Sequence, residues 1–403
     1  MSETHTPPAD PNAAASLAAE LANAPFVRLY GHADGDSLAA AGLLAVAFNQ
    51  RGVPFQIHVS TDPAGDLAAS TPDDDSHTVA VTTGHRAAAD HAVPPADDSR
   101  PASVAAAELS RELGVDPDPL LALAGVIASG SIPGVDGSGT LVEQAERAGL
   151  IARRPGVAVP TDALADGLAH SMLVDAPFSG DPEAAEAVLD ELGLTSESID
   201  LDDEARARVA SRVAVDVSTA ETAAATAADN VETALRPYAT PTGPFATLGG
   251  YADVLSALAC EQPGLAVSLA LGATLSDDAL DVWREHAADA HAALKSATTG
   301  RYEGVVVLRV ATDRPAVLST VARVAEQFRS PEPLTLVVNE ATSKGQRHAA
   351  LAASEPAGLA TVAAEVTDEF GGDAGGTPTA ATFSVDGETT ESELIAAVRE
   401  ALG

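Results

Sequence analysis

Gly31-His32-Ala33-Asp34-Gly35-Asp36-Ser37-Leu38-Ala39-Ala40-Ala41 follows an apolar run, Phe26 to Tyr30, and precedes a stretch of small and apolar residues that reaches Gln50. The run before it reads as a buried strand. The stretch after it reads as a helix over Ser37 to Gln50, opening at Ser37 as a natural cap. In an open parallel sheet, ligands bind beyond the carboxyl ends of the strands, where this segment falls. His32, Asp34 and Asp36 alternate with small residues, so an imidazole and two carboxylates can converge on a divalent cation, and the oxygen-rich set suits manganese or magnesium better than a thiol-seeking ion. The same residues also read as a plain polar strand-to-helix turn.

Outward from this segment, Phe55 to Val59 alternates as a second strand and Thr78 to Thr82 forms a third. Strands alternating with helices predict an α/β domain with a parallel sheet. Ala102 to Ser129 reads as two helices broken near Gly114 and Asp116-Pro117-Asp118-Pro119. Further helices are expected at Thr140 to Ala148, Thr161 to Met172 and Pro182 to Leu192, then one long helix from Asp203 to Leu235. The Pro- and Thr-rich segment Ala239-Thr240-Pro241-Thr242-Gly243-Pro244 is the strongest linker signal. Beyond it, strands at Gly304 to Val310 and Pro333 to Asn339 flank a helix from Pro315 to Phe328, a βαβ unit, with a strand at Ala380 to Val385 and a final helix at Glu391 to Leu402. The expected plan is a leader and first helix (1–24), an N-terminal parallel-sheet domain with a helical extension (25–236), a linker (237–247) and a smaller α/β domain (248–403).

The chain of 403 residues carries a formal net charge of −37, from 59 acidic against 22 basic residues. Lys295 and Lys344 are its two lysines, so arginine supplies nearly all the positive charge. Acidic, Ala- and Thr-rich and poor in Lys, the composition is that expected of a halophile with a salt-filled cytosol. Disorder is not expected, because 46% of the residues are apolar and their periodicity is clear. In molar salt the Debye length is about 3 Å, so net charge decides nothing about a nucleic-acid partner. Cys260 is the single cysteine, which excludes an intrachain disulfide and a paired-cysteine metal site. The N-terminus shows no basic region ahead of an apolar core, and the apolar stretch Leu265 to Leu271 is too short for a bilayer, so a soluble, cytoplasmic protein is expected.

The opening segment resembles the first motif of the DHH-family phosphoesterases, in which His-x-Asp-x-Asp supplies ligands to two metal ions. Arg100 to Ala106 and Ala122 to Ala128 look like the helical part of the same domain in RecJ-like proteins. Gly375-Gly376-Thr377-Pro378-Thr379-Ala380-Ala381-Thr382-Phe383 looks like the Gly-Gly-His-x-x-Ala-Ala-Gly-Phe signature of the DHH-associated nucleic-acid-binding domain. The order of these segments matches the archaeal RecJ-like branch. The resemblance implies a metal-dependent phosphodiesterase fold using Mn2+ or Mg2+, with His32, Asp34 and Asp36 as the residual catalytic and metal-binding set.

Departures from that pattern carry equal weight. The family expects a metal-bridging aspartate where this chain reads Val81-Thr82-Thr83-Gly84-His85, an Asp-His-His triplet where only Asp90-His91-Ala92 occurs, and a further aspartate where Ser129 stands. Thr377 replaces the signature histidine and Thr382 its last glycine. Two-metal phosphoryl chemistry needs ions about 3.5–4 Å apart under a bridging carboxylate, and three ligands from one turn do not hold that pair. One ion, or none, is the expectation. His85, Asp90 and His91 are the residues that would have to stand in. In the second domain Arg301, Arg309, Arg314, Arg323, Arg329 and Arg347 offer charge, with Arg301 and Arg347 beside the Gly375-Gly376 turn as the expected nucleic-acid-binding set; the same arginines also read as partners of the abundant carboxylates. With few aromatics to stack bases, single-stranded nucleic acid would be held by its backbone. Trp283 and Tyr302 read as core residues.

Two functions remain open at this level. One is a RecJ-like protein of DNA replication or repair with a decayed nuclease site, acting as a DNA-binding or scaffold component; the resemblance implies association with GINS and the MCM helicase, as in the degenerate eukaryotic member of the family. The other is a manganese-dependent single-strand exonuclease or small-nucleotide phosphodiesterase.

Overall fold

Strand and helix alternate from the first apolar run onward, and the computed structural model describes residues 13–70, 75–81, 89–94, 100–194, 201–343 and 345–402. Helix α1 (Ala13–Leu21) leads into β1 (Phe26–His32), α2 (Gly35–Arg51), β2 (Phe55–Ser60), α3 (Pro63–Ala69), β3 (Ser76–Val81) and β4 (His91–Val93). The four strands make one parallel sheet in the order β2-β1-β3-β4. Val27 and Leu29 of β1 are fully buried, as expected of a central parallel strand covered on both faces. Because the chain runs outward from β1 first to β2 and then to β3, the carboxyl end of β1 is the topological switch point of the sheet.

Helix α2 is buried along most of its length, and small residues let its neighbours approach. It packs against α4 (Ala102–Glu112) and α5 (Pro119–Ala128). A Cβ on Gly125 would lie 2.6 Å from the Ser103 side chain and 2.8 Å from Ala39 Cβ, so glycine is what allows these three helices to touch. The helical part continues with α6 (Gly139–Arg147), β5 (Ala152–Arg153), α7 (Leu164–His170), α8 (Pro182–Glu191), α9 (Asp203–Ser218) and α10 (Ala227–Asn230). Asp118, Asp181 and Asp202 cap the starts of α5, α8 and α9 through their carboxylates.

The single long helix expected from Asp203 to Leu235 is two helices and a 3-10 turn. Val209, Val213 and Val217 bury one face of α9, and the chain then turns so that the Ala224 N–H donates to Phe328 O at 2.7 Å. The Pro-rich segment after it is tied down along its length. Within it β6 (Tyr238–Ala239) pairs with β5, Phe245 is buried, and Thr247 caps the next helix while its hydroxyl donates to Val159 O at 2.8 Å.

Helices α11 (Leu248–Glu261), α12 (Pro263–Ala270) and α13 (Ser276–Ser296) form a layer between the two sheets. α11 packs on α2 and α5, and α13 packs on both α11 and α14 (Leu318–Phe328) of the second sheet. Trp283 of α13 is fully buried, as its apolar bulk predicts, and its Nε1–H donates to Asp253 of α11 at 2.9 Å. The same carboxylate oxygen accepts the Met172 N–H at 3.0 Å.

The second sheet comprises β7 (Thr298–Tyr302), β8 (Val305–Val310), β9 (Leu334–Ser343), β10 (Gln346–Ala353), β11 (Ala374–Gly376) and β12 (Ala380–Asp386), ordered β11-β12-β10-β9-β8-β7. β8, α14 and β9 form the expected parallel βαβ unit, and the other pairings are antiparallel. One face meets α14 and joins the main core. The other buries a separate core with α15 (Leu359–Phe370) and α16 (Glu391–Ala401). The fold class is therefore as the sequence predicts: α/β, with a parallel sheet first and a smaller mixed sheet after it. Among the described residues no helix is long and apolar enough to cross a membrane.

Candidate metal centre at the switch point of the first sheet

The chain leaves β1 in a tight turn. Asp34 N–H donates to His32 O at 2.8 Å and Ala33 N–H to Ser60 O at 2.8 Å. Asp34, in extended backbone, is the N-cap of α2, which begins at Gly35 and places Ser37 inside the helix instead of at the cap. One Asp34 oxygen accepts the Ser37 N–H at 2.8 Å; the other accepts the Ser37 hydroxyl at 2.9 Å and lies 3.1 Å from His32 Nδ1. Burial pushes the Asp34 carboxyl up, but His32 and the two Ser37 donors outweigh it and hold it below its ordinary value.

Asp36 points the other way. Its side chain accepts the backbone N–H groups of Ala102 at 2.6 Å and Ser103 at 2.9 Å. Helix α4 starts after Pro101, which offers no side-chain cap, so a carboxylate 66 residues earlier in the chain satisfies its free donors. Burial, and next the charge of Asp34, push the Asp36 carboxyl up to about 7, against the hydrogen bonds from Ser103 and Ala102.

Around this turn the packing is close. A Cβ on Gly35 would stand 2.7 Å from Ala128 Cβ and 3.0 Å from Ser256 Oγ, so the ends of α5 and α11 meet the start of α2 here. Ser129, where the resemblance drawn from the sequence expects a carboxylate, directs its hydroxyl back to Val126 O at 2.7 Å. The Cys260 thiol lies 3.8 Å from Ala33 O and 3.8 Å from Ser319 Oγ, and burial pushes its pKa up to about 11. Ser256 and Cys260 sit more than 200 residues from the motif, and nothing in the local sequence marks them as its neighbours.

Among the described stand-in ligands, Asp90 and His91 do not gather at this turn. Thr82, Thr83 and His85 lie outside the described residues. Asp90 accepts the backbone N–H and the hydroxyl of Thr78, both at 2.9 Å, and these bonds, led by the backbone one, hold its carboxyl below the ordinary range. His91 is registered opposite Val79, which faces Leu29. It is thus two strands across and three residues below His32, about 10 Å along the strand direction alone. The described residues do not fit a two-metal centre: Asp36 is committed to the amides of α4, Asp34 to Ser37 and His32, and Ser129 is no carboxylate. His32 Nε2, buried at this turn, has no partner among the described residues.

The second sheet closes on the same rim. A Cβ on Gly375 would fall 1.7 Å from Thr61 O, the residue after β2, so the Gly375-Gly376 edge strand lies against the β2–α3 turn. The arginines are engaged elsewhere. Arg301 pairs with Glu332 at 2.6 Å and Arg347 donates to Thr389 O and Asn339 O at 3.2 Å each. Arg314 meets Glu261, Glu285 and Asp289 at 2.7–2.9 Å, Arg309 meets Glu391, and Arg329 meets Asp175. Arg323, half-buried, donates to Met172 O at 3.2 Å.

Comparison with known proteins agrees with this architecture. A family model described as the C-terminal domain of the uncharacterized protein rrnAC1427 matches residues 297–400. Over its whole length the chain is similar to the uncharacterized protein rrnAC1427 of Haloarcula marismortui, 44% identical over 410 residues with all of both chains covered. Among solved structures it is similar to CDC45 from Entamoeba histolytica, with a TM-score of 0.61 at 8% identity, covering 96% of this chain and 98% of that one. It is also similar to RecJ from Thermus thermophilus in complex with Mn2+, with a TM-score of 0.52 at 15% identity. That match covers 96% of this chain and 54% of RecJ, so the chain spans about half the length of that enzyme. At such identities the likeness is one of fold.

Proposed function

Since the chain belongs to the rrnAC1427 family and has the fold of RecJ and CDC45, we propose that it is a DHH-type protein of DNA replication or repair whose nuclease centre has decayed, acting as a scaffold or DNA-binding component. The observation that carries this reading is the fate of Asp36. The carboxylate that a metal-dependent relative would use as a ligand accepts two backbone N–H groups at the start of α4, and the bridging and final carboxylates of the family pattern are Thr and Ser in this chain. A buried carboxylate that satisfies two helix donors contributes to the fold, and withdrawing it to bind an ion would leave those donors unpaired.

The partners in this reading are single-stranded nucleic acid and replication factors of the GINS and MCM type. The fold likeness to CDC45 over nearly all of both chains supports a protein of this size working without the rest of a RecJ-length enzyme. Arg301, Arg309, Arg314 and Arg329 sit in carboxylate pairs and Arg347 on backbone carbonyls, so binding of nucleic acid would run along backbone N–H groups and those guanidinium groups that an incoming phosphate can take from their partners.

The test is a time course of 5′-labelled single-stranded DNA with Mn2+ in molar potassium chloride, for the wild type and Asp34→Ala, with GINS and MCM pull-downs from the same preparations. No metal-dependent cleavage by either protein, together with retention of the replication factors, is the expected result. Robust cleavage by the wild type that disappears in Asp34→Ala overturns the reading in favour of an active exonuclease or small-nucleotide phosphodiesterase.

A further inference from the structure

Glu20, His77 and His91 come together on the opposite margin of the first sheet. They stand on α1, β3 and β4, and among the described residues they are the one group whose metal-ligating atoms converge. His77 lies opposite Val27 near the start of β1. It is five residues below His32, about 16 Å along the strand direction. This cluster is therefore separate from the switch-point turn.

Its geometry is that of a ligand triangle. Glu20 Oε1 is 3.6 Å from His77 Nδ1 and 3.5 Å from His91 Nε2, and the two ring nitrogens are 3.4 Å apart. All three separations are longer than the 2.7–3.2 Å typical of a hydrogen bond to nitrogen. They match the spacing of donors around a four-coordinate ion: ligands at about 2.0–2.1 Å from zinc in a tetrahedral array stand about 3.4 Å from one another. The imidazole rings stand 5.6 Å apart with their planes at 18°, and their facing nitrogens, from adjacent strands, approach the same carboxylate oxygen from the helix.

We propose that Glu20, His77 and His91 form a binding site for a zinc-class divalent cation, with two imidazole nitrogens and one carboxylate oxygen as protein ligands and a fourth position open to water. The donor set suits Zn2+, Co2+ or Ni2+ better than Mg2+, because imidazole nitrogen is favoured by the later first-row ions. The side chains are partly exposed, which gives the ion a path in from solvent. Bound there, it joins α1 to β3 and to the three-residue edge strand β4, and so fixes the end of the sheet where strand pairing is shortest.

The probe is Co2+ added to the full-length, chelator-treated protein, read by visible absorption, because four-coordinate Co2+ absorbs strongly where six-coordinate Co2+ on scattered carboxylates does not. The wild type is expected to develop the four-coordinate band at one Co2+ per chain and to lose it on addition of Zn2+. His77→Asn and His91→Gln, each with circular dichroism to confirm the fold, are expected to lose the band, while His32→Asn retains it. Absence of the band in the wild type, its survival in either folded variant, or its loss in His32→Asn overturns the assignment.

Discussion

A carboxylate that receives two backbone N–H groups at the first turn of a helix is a cap, and Asp36 holds that position for α4 from within α2. Removing it leaves two buried donors without a partner. Asp36→Ala is therefore expected to lower stability by about 1–3 kcal/mol, measured by denaturant unfolding, and Asp36→Asn, which keeps one acceptor oxygen, by less. A substitution without effect on stability, paired with loss of divalent-ion binding, would make Asp36 a ligand instead. The sequence marked His32, Asp34 and Asp36 as a set because their alternation is visible in one line. It could not show that the set divides, with Asp34 turned to Ser37 and Asp36 to a helix that starts at residue 102. The partner of a buried carboxylate is a tertiary fact.

At the scale of elements, the contact between β11 and the turn after β2 depends on a missing side chain. Gly375→Ala would drive a Cβ to 1.7 Å from Thr61 O, which backbone on both sides cannot absorb without moving. A cost of about 1–3 kcal/mol is expected, with faster amide exchange at residues 61–66 and no change in α16. Gly264→Ala, where a Cβ meets nothing within 4 Å, is the control and should be neutral or slightly stabilising. Elements with strong periodicity, β1, α2, β2, β3, α4, α5, β8 and α14, were legible from the chain alone. Those that depend on partners were not. β4 has three residues, and Asp90, just before it, ties it to Thr78 within β3. The break after α9 carries no Gly or Pro, and its position follows from the Ala224 N–H finding Phe328 O.

For the whole molecule, the layer of α11 to α13 carries the buried polar groups that couple the two sheets. His286 lies between Glu261 and Thr320, 2.9 Å from each, and His291, which is 2% exposed, lies 3.0 Å from Ser171 O through Nε2. Burial pushes the His291 pKa down to about 4, with Lys295 and Arg329 adding to the effect against Asp175 and the Ser171 carbonyl. The unfolded chain holds this proton from about pH 6.5 downward, whereas the folded one refuses it until about pH 4. Its contribution to stability is thus complete above pH 6.5 and falls away between there and pH 4, by about 3 kcal/mol at most. Paired carboxylates such as Asp166 and Glu261, also held below their ordinary values of 3.8 and 4.5, lose their contribution as the pH falls from those values downward, at and below the foot of this range. The measurement is therefore a difference: His291→Gln, neutral throughout, is expected to lose less unfolding free energy than the wild type between pH 7 and pH 4.5, and equal losses would refute the assignment.

Trp283 is the only tryptophan in the chain, and its indole N–H ends on the carboxylate that also holds Met172. The molecule therefore has a single dominant fluorophore, placed where the layer of α11 to α13 meets the helical part of the first domain at His170 and Met172. Its emission is a built-in gauge of that junction: it will stay blue-shifted while α13 remains docked on α7 and α11, and move to longer wavelength when water reaches the indole, without any label being attached.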